Sequence, residues 1–251
     1  MTTFPVPRLR MFAGPNGSGK STLKDYLAPE WLGVYVNADE IEKALRSAAG
    51  LNFSDYAIDV PHAEFQSFLA TSSLLAKQNL QDEAACLQVV DGVLNFGKVL
   101  PNSYYASVLA DLIRQKLLEA GESFTFETVM SHPSKVAFLQ KARDMGFRTY
   151  LYFVATEDPD INIDRVRHRV AMGGHPVDTD KIVSRYDNSL NLLFDAVLYT
   201  DRAYIFDNSG YERVWIAEVV DAQTIELKSD VMPNWFKNAL WDKFAEGDQE
   251  A

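Results

Sequence analysis

The chain has 251 residues, 47% of them hydrophobic and 24% charged, and its formal net charge is −11. That balance belongs to a globular protein with a sizeable core and excludes a disordered chain. The acidic surplus argues against a nucleic-acid binder, whose partner demands clustered Lys and Arg, but leaves room for a small phosphorylated ligand in a local positive pocket.

The first residues, "MTTFPVPRLRMFAG", lack the basic, apolar and small-residue order of a signal peptide. No apolar run approaches the roughly 20 residues needed to span a bilayer, so the expectation is a cytoplasmic protein with no membrane partner. "RLRMFAG" (Arg8 to Gly14) reads as a strand running into a glycine-rich loop, and "STLKDYLA" has helical spacing with Leu23 and Leu27 on one face. A second strand, Gly33 to Asn37, leads into a helix at "DEIEKALRSAA". From 51 to 101 the text looks helical with Gly and Pro breaks, and is read as an insert on a single domain spanning 1–251. The single cysteine, Cys86 in "DEAACLQVV", cannot form an internal disulfide and reads as a buried small hydrophobe.

Alternation then resumes. "YYASVLADLIRQKLLEAG" is an amphipathic helix stopped by Gly121, and "SFTFET" (Ser123 to Thr128) is a strand. "SKVAFLQKARDMG" is a helix, "RTYLYFVAT" a strand and "DPDINIDRVRHRVAMGG" a helix carrying arginines. "DTDKIVSRYDNSLNLLFDAVLYT" reads as one helix opened by an Asp/Thr cap cluster, and "AYIFDNS" as the last core strand. Residues 211–251 read as an edge hairpin and a closing helix. Strands separated by helices imply right-handed crossovers and a parallel central sheet in a three-layer α/β sandwich of the P-loop NTPase or kinase type. In such a sheet the ligand lies beyond the carboxyl ends of the strands.

The chemistry concentrates first in Gly14-Pro15-Asn16-Gly17-Ser18-Gly19-Lys20-Ser21, followed by Thr22, which matches G-x-x-x-x-G-K-[ST] without a mismatch between a strand and a helix. Glycines let the backbone wrap a phosphate chain, with successive N–H groups pointing inward. Lys20 is placed to reach the β- and γ-phosphates of ATP, and the Ser21 hydroxyl to ligate Mg²⁺. Asp39, in "VNADEIEK", has two readings: a base that takes the proton of a substrate hydroxyl, or an ordinary helix N-cap, with Asn37 and Glu40 as alternatives for the chemistry. Glu127 ends the "FTFET" strand, where a carboxylate can hold the Mg²⁺ shell or the acceptor, and Thr128 and Ser131 could add hydroxyl contacts. Arg165 and Arg169 lie one helical turn apart on one face, while Arg167 points elsewhere. "MGGHPV" follows as a Gly173–Gly174 hinge, with His175 orienting it and Arg185 on the next helix. Helix, hinge and helix over 165–186 read as an arginine-bearing lid.

With these residues assembled, the chain resembles the zeta-toxin-like family of P-loop kinases, in a branch with a short GGH lid. The likeness rests on "GPNGSGKST", "NADEI", "FETVMS" and "RVRHRVAMGGHPVDTDKIVSRYDNSLNLL", and covers most of 8–210 outside 51–101. The resemblance implies an ATP-dependent kinase of a small-molecule hydroxyl, with UDP-N-acetylglucosamine as the first candidate acceptor and an antitoxin as a possible protein partner. It implies Asp39 as the base, Glu127 as the acceptor-contacting carboxylate and Arg169 as a phosphate clamp. Arg185 is the counterpart of a second clamp, at a point where the sequence departs from the toxin pattern. Two other readings stand beside it: a kinase of a different nucleotide or metabolite, and an ATPase-type regulatory module.

Overall fold

The computed structural model describes residues 6–47, 50–174 and 176–247. In chain order these form β1 (Arg8–Ala13), a 3₁₀ helix (Lys20–Tyr26), α1 (Pro29–Leu32), β2 (Val34–Val36), α2 (Ala38–Leu45) and β3 (Leu51–Asn52). Next come α3 (His62–Ala70), α4 (Ser73–Lys77), α5 (Gln81–Ala84), β4 (Gln88–Val90), β5 (Val93–Asn95), α6 (Ser103–Ala120) and β6 (Phe124–Thr128). The chain continues with α7 (Ser134–Asp144), β7 (Arg148–Ala155), α8 (Pro159–Ala171), α9 (Thr179–Asn191), α10 (Leu193–Leu198), β8 (Arg202–Asp207), β9 (Val214–Val220) and β10 (Thr224–Leu227). It closes with helical turns at Asn234–Phe236, Lys237–Trp241 and Asp242–Gly247. Among the described residues no helix is long and apolar enough to cross a membrane.

Where the sequence suggests a single domain, the chain divides into two compact units, Met1–Leu32 with Glu127–Ala251 and Gly33–Phe126. The first unit is an α/β fold of P-loop type. Its strands run in the order β10-β9-β8-β7-β1, with β1, β7 and β8 parallel and β9 and β10 antiparallel. The sheet is therefore mixed, because the expected edge hairpin joins it through β9. Alternation sends Leu9, Met11, Leu151, Phe153, Ala203 and Ile205, all fully buried, to one face. That face meets the C-terminal helical turns, where Trp235 lies 6.1 Å from the Phe153 ring and donates its indole N–H to Asp207 Oδ2 at 2.7 Å. The opposite face is aromatic. Phe12 meets Tyr152 edge-on at 5.3 Å, and Tyr152 stacks on Tyr204 at 4.8 Å. Burial pushes the Tyr152 phenol up to about 12.

The second unit holds the parallel pair β2–β6, helices α2 and α6, and the stretch read as a helical insert. That stretch is only partly helical: β3, β5 and β4 form a small antiparallel sheet beside α3, α4 and α5. Helix α6 starts at Asn102, whose Oδ1 accepts the N–H groups of Tyr104 and Tyr105, and ends at Gly121 with φ 68°. Ten of its residues are buried, including Arg114, which bonds Asp111 at 2.6 Å and lies 4.7 Å over the Phe126 ring. Burial holds the Arg114 guanidinium below its ordinary range. Cys86 is exposed, contrary to its reading as a core residue: it lies just past the short α5, whose buried member is Ala84.

Two helix readings also change. The segment after Asp178 is two helices, α9 and α10, separated at Leu192. Its expected side-chain cap does not form, because Asp178 instead holds Lys181 at 2.8 Å. The helix after the glycine loop is a 3₁₀ turn rather than an α-helix, and only Leu23 in it is buried. With so little buried surface to favour it, the tighter turn is confined to seven residues.

Trp235→Phe keeps the ring packing and deletes the donor to buried Asp207. Urea unfolding should show a loss of about 1–3 kcal/mol. An unchanged midpoint would mean that this bond does not anchor the C-terminal turns.

Candidate nucleotide site

The parallel strands β1, β7 and β8 end side by side, and their carboxyl ends deliver three loops to one edge of the first unit: Gly14–Gly19, Thr156–Asp158 and Asn208–Arg213. That edge is where an open α/β sheet binds its ligand. The first loop is the glycine-rich motif. Gly14 has φ 138°, and a Cβ there would lie 2.0 Å from the Val154 carbonyl oxygen. Gly19 has φ 94°, and its Cβ would lie 2.4 Å from Asn208 Nδ2. Both positions require the missing side chain.

The outward carbonyls of this loop are tied down from the other two. Asn162 on α8 donates to Asn16 O at 2.5 Å, and Asn208 donates to Ser18 O at 2.7 Å. Arg213 donates to Gly19 O at 2.9 Å and also bonds Thr22 Oγ1. Asn162 is itself held by Thr156, whose carbonyl accepts the buried Tyr186 hydroxyl of α9 at 2.6 Å. Burial pushes the Tyr186 phenol far above its ordinary range, so it serves as a fixed donor.

Inside the motif, Lys20 folds its ammonium onto Pro15 O at 2.8 Å. The Ser21 hydroxyl donates to Glu127 Oε2 at 3.3 Å, joining the loop to the end of β6. At the last residue of that strand Thr128 Oγ1 accepts the Met130 N–H at 3.0 Å, and buried Met130 holds a left-handed φ of 54°. Strain of this kind persists where the surroundings fix it. It sets the exit of the strand that carries Glu127. Ser21 and Glu127 supply hard oxygen ligands suited to Mg²⁺. Among the described residues no cluster of three or more His, Cys, Asp or Glu could hold a metal by itself.

Helices α8 and α9 pack through Ile163, Val166 and Ile182. Arg165 is turned inward, donating to Asn208 O at 2.7 Å and Gly210 O at 3.3 Å. Arg185 reaches Asn16 Oδ1 at 3.5 Å. Arg167 pairs with Asp164 in solvent, as expected from its facing, and Arg169 is exposed. Gly173 and Gly174 cap α8, with the Gly174 N–H on Arg169 O at 2.9 Å. His175 lies outside the described residues.

The second unit settles which residue caps α2. Asn37 does, its Oδ1 accepting the N–H groups of Asp39 at 2.8 Å and Glu40 at 3.3 Å. Asp39 stands in the first turn with an exposed side chain. Asn37 is 8% exposed, with its carbonyl oxygen committed to the cap.

Asn208 and Arg213 were not legible from the sequence. They lie about 190 residues from the loop they hold, and only the strand-end position of Asn208 hinted at a site.

Fold and loop together define a P-loop α/β protein. Neither a protein-family model nor a curated protein matches the chain. Among solved structures it is similar to one from the PezAT chromosomal toxin–antitoxin system of Streptococcus pneumoniae, at 14% identity and TM-score 0.49, covering 99% of this chain and 87% of that one. It is also similar to AvrRxo1-ORF1:AvrRxo1-ORF2 with sulphate ions, at 14% identity and TM-score 0.48, covering 90% of this chain and 62% of that one. The complex with ATP gives 14% identity, TM-score 0.47 and coverages of 98% and 63%. The chain thus spans less than two thirds of the AvrRxo1 structures it resembles. At these scores the likeness stops short of assigning an activity.

Gly14→Ala should destabilise the first unit by about 3 kcal/mol, because its Cβ would collide with backbone rather than with a movable side chain. A wild-type urea midpoint would show that the β1 exit is looser than its geometry.

Proposed function

We propose that the protein is an ATP-dependent kinase that phosphorylates the hydroxyl of a small molecule. The observation that carries this reading is the Ser21–Glu127 contact at 3.3 Å. A strand-end carboxylate beside the Ser21 hydroxyl supports a loop that would use Mg²⁺ for phosphoryl transfer and would not merely hold phosphate.

In this reading the backbone of Gly14–Thr22 cradles the triphosphate and Lys20 exchanges the Pro15 carbonyl for β- and γ-phosphate oxygens. Ser21 and Glu127 would hold Mg²⁺, which when bound neutralises phosphate charge. The acceptor hydroxyl attacks the γ-phosphorus, its proton passes to the Asp39 carboxylate, and the bond to the β-phosphate oxygen breaks to leave ADP. Arg169 and Arg185 stabilise charge on the transferred group. Glu127 also positions the acceptor hydroxyl, with Thr128, Asn37 and His175 on the same side, while Arg165, expected there too, holds the carbonyls of Asn208 and Gly210 beside the glycine loop. Asp39 suits the base because the cap of α2 is supplied by Asn37. A nucleotide sugar such as UDP-N-acetylglucosamine is the first acceptor to try, and an antitoxin-like protein the first partner.

The test is incubation with ATP, Mg²⁺ and a metabolite panel, followed by mass spectrometry. One acceptor should gain a single phosphate. Asp39→Asn should slow transfer by about a hundred- to ten-thousandfold with ATP affinity unchanged. ATP hydrolysis with no phosphorylated product from any hydroxyl compound would overturn the kinase reading, and full-rate transfer by Asp39→Asn would overturn the base.

A further inference from the structure

Arg213 lies in the turn between β8 and β9, and its guanidinium is wedged against the loop. Nη2 serves Gly19 O at 2.9 Å and Thr22 Oγ1, while Cζ sits 5.0 Å from the Tyr26 ring. Thr22 in turn donates its hydroxyl at 3.0 Å and its N–H at 3.4 Å to Gly19 O, so three donors converge on one carbonyl. The other two donors of the fork, Nε and Nη1, are shut from solvent with no hydrogen-bond partner among the described residues. Guanidinium keeps its charge at every physiological pH, and a buried donor without an acceptor is costly.

A purely structural clasp on Gly19 O needs one N–H and no charge. The charge already meets the Tyr26 ring and the Asp25 carboxylate, but the two unpartnered donors still call for an acceptor, and the acceptor that the motif brings is an anion. The order of the motif says which anion. Lys20 belongs to the β- and γ-phosphates, and the loop amides to the α- and β-phosphates. Arg213 bonds the peptide of Gly19, within that run of loop amides, and makes no bond to Lys20. We propose that Arg213 is a donor-binding residue that presents its unpartnered N–H groups to the α-phosphate of the bound nucleoside triphosphate while its Nη2 holds Gly19 and Thr22 in place. This inference rests on the nucleotide reading of the loop and adds to it a contact from outside the motif. Desolvation, which lowers the proton affinity of Arg213, works in the same direction: an incoming phosphate compensates it.

The experiment uses the full chain, ATP and Mg²⁺, with affinity read by calorimetry and the bound nucleotide by phosphorus NMR. Arg213→Gln keeps an N–H donor for Gly19 O and removes the charge. It should weaken ATP binding by about ten- to a hundredfold and displace the α-phosphorus resonance of bound ATP, leaving the β and γ resonances near their wild-type positions. Arg213→Lys, which keeps the charge without the fork, should recover part of that affinity and covers the case in which the Gln variant fails to fold. Wild-type affinity in both variants, or equal displacement of all three resonances, would overturn the α-phosphate assignment. Lys20→Ala separates the two levels: if wild type binds no ATP, or if Lys20→Ala binds it as well as wild type does, the nucleotide reading itself falls.

Discussion

The glycine loop depends on its outer carbonyls. A phosphate cradle turns its N–H groups inward, which leaves the carbonyls of the same peptides facing away from the ligand. A run containing Gly14, Gly17 and Gly19 loses more conformational freedom on ordering than any other composition would. The bonds from Asn162, Asn208 and Arg213 to the carbonyls of Asn16, Ser18 and Gly19 supply the missing order. Each comes from an element carried by a neighbouring parallel strand, so the loop is held only where β1, β7 and β8 end together.

That dependence gives the arginines of α8 and α9 a different meaning from the one their spacing suggests. Arg165 and Arg169 share a helical face, which fits two phosphate clamps. Yet Arg165 holds the carbonyls of Asn208 and Gly210 and so braces the residue that braces Ser18. Arg185 reaches the side chain of Asn16, at the start of the loop. Through Tyr186, Thr156 and Asn162, α9 also bears on Asn16 O. Any displacement of α8 and α9 would therefore be felt at the loop carbonyls.

The motif and the order of the main strands were legible because they are local. Eight consecutive residues specify the loop, and alternation in "RTYLYFVAT" needs no partner to be read. What escaped depends on distant partners or on marginal energies. Arg213 is one arginine among turn residues until β8 and β9 bring it to Gly19. Helical spacing in "STLKDYLA" does not distinguish an α-helix from a 3₁₀ turn, and the outcome follows from how little of the segment is buried. Cys86 reads as core because free cysteine usually is, but its neighbour Ala84 takes the buried position in α5. The break at Leu192 has no Gly or Pro to mark it.

Asp39 shows how a structural detail sharpens a chemical assignment without completing it. Asp and Asn are about equally good N-caps, so "VNADE" alone cannot say which residue is spent on the helix. Asn37 takes the cap with two hydrogen bonds from the backbone. The Asp39 carboxylate, exposed in the first turn, is therefore not spent on the cap. A base at that position must be ionised before it can accept a proton. A late proton transfer, after the bond to phosphorus has begun to form, asks less of any base, because the acceptor oxygen has by then become acidic.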